Sequence, residues 1–189
     1  SFAFGVRQKV PARMAALVNG TTSHALDYDD THFASLGHPS VTVFPAILAL
    51  ADQFCFSMEE VKTAALIGAE VAIRVGIWLG RTHYRAGFHI TATAGIFGSV
   101  AGCARLMNLT PNQTRMALGI AGSRAAGVKA QFGTMGKPLH AGMAASAGVE
   151  AIILARNGLI SSSDGFDGPR GFVATHQGEQ NPDALEGFG

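Results

Sequence analysis

Small side chains dominate this chain: 31 alanines and 24 glycines stand among its 189 residues. Alanine loses no side-chain entropy in a helix, and β-branched runs here are short, so the balance favours helices. The small residues also recur at helical spacing. Ala94, Gly98 and Gly102 fall on one stripe, and Gly95, Ser99 and Cys103 on the next. Residues four apart share a helix face, so each stripe lets a neighbouring backbone approach closely. Glycine weakens an isolated helix, so such helices need tertiary support. Alternating apolar–polar strand patterns are almost absent. The expectation is an all-α fold.

Start and stop signals divide the chain into about six helices. Pro11 opens one that runs through Ala16 and on toward Asp30, with Asn19-Gly20 as its weak point. Residues 41–52 read as a short buried helix with Pro45 in or near its first turn. Ser57-Met58-Glu59-Glu60 has capping-box spacing, and that helix is expected to end at Gly80. A fourth covers 91–107, and Thr110-Pro111-Asn112-Gln113 caps a fifth. The last begins near Pro138 and stops before Asn157-Gly158. From Ser161 the texture turns loop-like, which predicts an exit loop or linker with little fold of its own.

Charge narrows the function. Fourteen Lys+Arg stand against 13 Asp+Glu, a net charge of +1. Phosphate backbones and anionic lipids are held by surplus positive charge, so neither a nucleic acid nor a membrane is expected as partner. Cys55 and Cys103 are too few for a disulfide scaffold or a four-cysteine metal site, and the expectation is a reduced, cytoplasmic compartment. The longest charge-free stretch, between residues 85 and 105, contains His89, hydroxyls and glycines, a poor membrane composition.

Three clusters carry chemistry. The first is His24-Ala-Leu-Asp27-Tyr-Asp29-Asp30-Thr31-His32, followed by Gly37-His38-Pro39-Ser40. On a helix that reached this far, His24, Asp27 and Thr31 would share one face. Acids at a helix C-terminus oppose the dipole, which fits either a functional site or a solvated acidic loop. The spacing matches neither zinc motifs nor a calcium loop, so no metal is expected. The second is Gly87-Phe88-His89, where the imidazole is a neutral base, an anion donor or a packing group. The third is Gly133-Thr134-Met135-Gly136-Lys137-Pro138-Leu139-His140-Ala141-Gly142. Lys137 at a helix start is unfavourable unless an anion or a carboxylate neutralises it. The Gly-x4-Gly-Lys-[Ser/Thr] phosphate loop is absent. Glu70 and Arg74, four apart, most simply pair with each other. This inventory suits a small polycarboxylate, with cations on its acid groups and a base for a neighbouring proton.

Several of these segments, in order, resemble the MmgE/PrpD family, which includes 2-methylcitrate dehydratase, cis-aconitate decarboxylase and iminodisuccinate epimerase. They are Asn19-Gly20, residues 24–31, His38-Pro39-Ser40, Pro45-Ala46, Gly87-Phe88-His89, residues 117–123, Lys137-x-Leu139-His140-x-Gly142 and Gly171-Phe172. The resemblance implies a helical-bundle domain, here a partial one over residues 1–172. Residues 173–189 would then be a linker toward an α+β lid, and that lid, the family's first helices and its returning C-terminal helices would all lie outside these residues. It implies a homodimer and chemistry without metal or organic cofactor. In the decarboxylase branch the positions matching Asp27, Thr31, His38, His89 and Lys137 line the active site. Here the segment between Thr31 and His38 is one residue longer than in that branch.

On this reading His38, Asp27 and Thr31 are catalytic, and His89, Lys137 and His140 bind substrate. His38 moves a proton, Asp27 orients a histidine and Thr31 donates a hydrogen bond. Dehydration of the 2-methylcitrate type is the first expectation, with decarboxylation or epimerisation as alternatives. A reading from another class is a non-catalytic helical dimerisation module, for which His38, His89 and Lys137 would not converge.

Overall fold

The computed structural model describes residues 1–187. Among them, eight α-helices follow one another: α1 (Ala12–Ser23), α2 (Ser40–Phe54), α3 (Met58–Arg85), α4 (Ile90–Thr93), α5 (Gly95–Leu106), α6 (Pro111–Gly122), α7 (Gly136–Arg156) and α8 (Phe172–Thr175). Short 3₁₀ turns lie at Lys129–Gln131 and Pro182–Leu185. The described residues form no strand, only the isolated bridges His32–Gly37 and Phe88–Val128. The fold is all-α, as the small-residue stripes predict.

Both expected capping boxes form. Ser57 Oγ accepts from the Glu60 amide at 3.3 Å while Glu60 accepts from the Ser57 amide at 2.8 Å. Thr110 and Gln113 exchange the same pair of bonds at 3.3 and 3.0 Å. Each box satisfies two orphan amides of a helix start. Boundaries elsewhere shift. Gly80 bends α3 (φ 72°, ψ −171°) without ending it, and the helix resumes to Arg85. The stretch expected as one helix over 91–107 is divided at Ala94 into α4 and α5. Pro45 is the sixth residue of α2, in its second turn, because α2 starts one residue earlier than expected, at Ser40.

α1 packs along α7, α3 packs along α5, and α2 touches both pairs. Glycine makes these approaches possible. A Cβ built on Gly98 of α5 would stand 2.5 Å from the Gly68 carbonyl oxygen of α3. One built on Gly20 of α1 would stand 2.9 Å from Gly142 Cα of α7. Around these contacts Phe97, Ile47, Leu50, Leu79 and Ile152 are fully buried. α3 and α7 are long and apolar enough to cross a bilayer by length and composition, and most of the apolar stretch of α7 is buried inside the domain.

The segment after Ser161 is better packed than its composition predicts. Phe166 and Phe172 set their rings 4.7 and 5.1 Å from that of Phe97, and Val173 is fully buried. Glu179 accepts from the Thr82 amide at 2.6 Å, and Arg74 donates to the carbonyls of Ala184 and Glu186 at 2.7 and 2.9 Å. Aromatic anchors spaced several residues apart hold it down without helical period. Phe188 and Gly189, the end of the expected linker, lie outside the described residues.

Candidate active site

α1 ends at Ser23, and the backbone turns at Asp27 through the left-handed region (φ 57°), which Asp tolerates better than most residues. The expected helical face of His24, Asp27 and Thr31 therefore does not form. Thr31 is exposed and takes no hydrogen bond among the described residues. The chain instead crosses from α1 to α2 as a pinned loop. Asp30 accepts from the Ser40 amide at 3.2 Å and from its hydroxyl at 2.8 Å, tying the loop to the start of α2. The His38 amide donates to Thr91 Oγ1 at 3.2 Å, and Ser35 rests on Gly76 of α3, where a Cβ would stand 2.7 Å from its own.

This path folds the first cluster onto itself. His24 is buried, and its Nδ1 lies 2.9 and 3.0 Å from the two oxygens of Asp29. Across the same carboxylate, His38 Nδ1 lies 3.3 Å from Asp29 Oδ2, out of line for a hydrogen bond. His38 Nε2 is 3.9 Å from Asp27 Oδ1, and the rings of His24 and His38 meet edge to face at 4.8 Å. Burial holds His24 below the ordinary imidazole range, outweighing the opposite pull of Asp29.

α7 brings the third cluster to the same place. The Lys137 ammonium is bound to both oxygens of Asp27, so a carboxylate of the protein neutralises the lysine at this helix start. The hydrogen bond from Lys137 holds the Asp27 carboxyl below the usual carboxylate range. The first amides of α7 are already used: Gly136 and Lys137 donate to Thr134 Oγ1 and the Thr134 carbonyl at 3.0 and 3.2 Å. Any pull on a ligand at this end of α7 thus comes from the ammonium and the helix dipole.

His89, just before α4, and His140, one turn into α7, meet through their Nδ1 atoms at 3.2 Å. One of the two must donate and the other accept, so the neutral pair carries opposite tautomers. Burial, and secondly His140, push His89 down to about 3, and burial also lowers His140. The His89 ring lies parallel to that of His24 with centroids 6.0 Å apart, and Phe132 closes its other side edge-on at 5.0 Å. His24, Asp27, Thr134 and Lys137 line an open cleft of about 570 Å³ between the ends of α1 and α7. His38, His89 and His140 stand behind that lining.

Five of the six expected site residues therefore come together, and Thr31 does not. The sequence places His24 on a helical face with Asp27 and Thr31, and Asp29 only within the acidic cluster. The five-residue spacing of His24 and Asp29 gives no helical pairing, and only the reversal at Asp27 joins them. His83 was missed altogether. It is buried in α3, bonds Thr93 Oγ1 at 2.8 Å and the His176 carbonyl at 2.5 Å, and stacks on Phe88, which is a packing role. Donor atoms of His24, Asp27, Asp29 and His38 lie within 4.8 Å of one another, the kind of set that can hold a divalent ion. The ammonium already seated on Asp27 opposes a second cation there.

Chemistry of this kind can hold acid groups on cations and pass a proton between imidazole and carbon. Comparison with known proteins agrees with the geometry. A family model described as the MmgE/PrpD N-terminal domain matches residues 1–185. The chain is similar to the cis-aconitate decarboxylase of Homo sapiens, 35% identical over 171 residues, covering 88% of this chain and 35% of that protein. It is also similar to the cis-aconitate decarboxylase of Aspergillus terreus, 32% identical over 161 residues, 82% of this chain and 33% of that protein. The chain thus spans about a third of the length of these relatives. A helical domain matched almost from end to end, with its imidazoles and ammonium gathered where the motifs predict, belongs to the MmgE/PrpD family.

Proposed function

We propose that this domain supplies the proton-handling, acid-binding part of a lyase that acts on a small di- or tricarboxylic acid without metal or organic cofactor. One observation carries the reading: two imidazoles, His38 and His89, flank His24, and an ammonium sits on Asp27, beside an open cleft. The similarity to cis-aconitate decarboxylases favours decarboxylation of cis-aconitate over the dehydration expected from the residues.

In this reading the Lys137 ammonium attracts the carboxylates, and the neutral His89–His140 pair packs behind it. The bond between carbon and the departing carboxylate breaks, carbon dioxide leaves, and its electron pair passes into the adjacent unsaturated system. His38 takes up a solvent proton at Nε2 and, as the imidazolium, delivers it to the carbon that receives that pair. Asp27 holds Lys137 in place, a role different from orienting a histidine. Dehydration is the second reading, favoured by the carboxylate-backed His38, which could protonate a departing hydroxyl. Cys55 and Cys103, both unpaired thiols, fit a cytoplasmic protein. Tyr28, Phe33 and Met135, all more than four-fifths exposed, offer apolar surface for a homodimer or a lid to cover.

The test is to incubate the whole protein carrying this domain with a panel of di- and tricarboxylic acids in deuterated water. Release of carbon dioxide from cis-aconitate with deuterium incorporated in the product is the expected result. Loss of water from a hydroxy acid would select dehydration. Inertness toward the entire panel would leave the non-catalytic helical module as the better reading.

A further inference from the structure

We infer that Asp29 is the positioning residue of this site: its carboxylate lies between the Nδ1 atoms of His24 and His38 and holds both rings with Nδ1 protonated, leaving the Nε2 of His38 for proton exchange. The inference rests on the reading of His38 as the group that moves the proton.

Of the two carboxylates beside these rings, Asp27 is taken by Lys137, and Asp29 is the one free to serve them. Its side chain is only 11% exposed, so water competes little for its oxygens. A carboxylate only accepts, and a neutral imidazole donates from one nitrogen. The tautomer that places its hydrogen toward the carboxylate is therefore favoured, as where a carboxylate fixes a catalytic imidazole. For His24 the bond is formed, with Nδ1 at 2.9 Å. For His38 the 3.3 Å approach supplies charge attraction with imperfect alignment. The opposite nitrogens differ in setting. His24 Nε2 is buried without a partner, and His38 Nε2 lies 3.9 Å from Asp27 Oδ1, a residue that lines the cleft. Removing Asp29 would leave His24 among the rings of His38 and His89 and the Asp27–Lys137 pair, with no carboxylate in hydrogen-bond reach of its Nδ1.

The test reads tautomers directly, by long-range proton–nitrogen NMR of the imidazoles in the wild-type chain, Asp29→Asn and Asp29→Glu at neutral pH. Nδ1–H tautomers of His24 and His38 are expected in the wild type, and Asp29→Asn should move at least one of them to Nε2–H. Asp29→Glu should restore it. In the whole protein, Asp29→Asn should lower kcat at least about tenfold while KM for cis-aconitate changes less than about threefold, since orientation matters most in the transition state. Nε2–H tautomers in the wild type, or tautomers unchanged in Asp29→Asn, would overturn the inference. Should Asp29→Asn fail to fold, the wild-type and Asp29→Glu spectra decide it. Failure of the whole protein to turn over any carboxylic acid would remove the functional reading and leave the tautomer result standing.

Discussion

Lys137 closes an ion pair onto Asp27, 110 residues earlier in the chain, and so joins the start of α7 to the loop that follows α1. Asp27 is half exposed, yet the hydrogen bond from Lys137 keeps its carboxyl below the usual range. A carboxylate depressed in the folded state adds stability above its unfolded value, and that stability is lost as pH falls through the folded value. Lys137→Met is expected to return Asp27 to the ordinary carboxylate range in a carbon-13 NMR titration. The melting temperatures of the two proteins should converge in acid below that range. An unmoved Asp27 would show that the pair does not persist in solution.

His38→Ala in the whole protein should cost about 10²–10⁴ in turnover, the usual worth of a placed proton-transfer group. Thr31→Ala, at a residue exposed and unbonded, should stay within about threefold of wild type on the same reasoning. Assays of both variants with the same acid separate the two residues. Equal losses would return Thr31 to the site.

Acid should loosen the fold before it affects surface charge pairs. His24, His83 and His89 are buried, and burial lowers each of them, His89 to about 3. Between the folded value and the ordinary 6.5 the unfolded chain binds more protons, so stability falls as pH drops through that window. The limit is about 1.4 kcal/mol per pH unit for each histidine held neutral. Denaturant midpoints from pH 7.5 to 5 should decline, and His89→Gln should flatten the slope. A flat wild-type profile would contradict the burial of these rings.

Gly142→Ala tests whether α1 and α7 place the site. A Cβ there would strike the Leu17 carbonyl and Thr21, backbone and side chain of α1 that cannot both move aside. Overpacking of this kind costs about 1–3 kcal/mol. The variant should melt lower and lose the depressed titration of Asp27, because its partner Lys137 lies on the displaced helix. Loss of stability with Asp27 unchanged would uncouple the helix contact from the site.

Much of this arrangement was legible in the residues. Ser57 and Thr110 carried their helix starts locally, Asp27, His89 and Lys137 stood out through their placement at helix ends, and His38 through the family resemblance. The fate of Thr31 was not legible, because helical spacing extends a helix past His24 while a left-handed Asp27 ends that possibility. Asp29 was hidden for the same reason: no periodic rule pairs it with His24 or His38. Phe166, Phe172 and Val173 concealed the packing of the C-terminal segment, since isolated apolar anchors in a glycine-rich stretch resemble a loop.

The central claim is that the cleft between α1 and α7 receives a polycarboxylate. Titrating the chain with cis-aconitate while following imidazole resonances measures this directly. Saturable shifts of His24, His38, His89 and His140, abolished in Lys137→Met and absent at His83 and His176, are the predicted result. Shifts confined to His83 or His176, or saturable binding that Lys137→Met leaves unchanged, would contradict it.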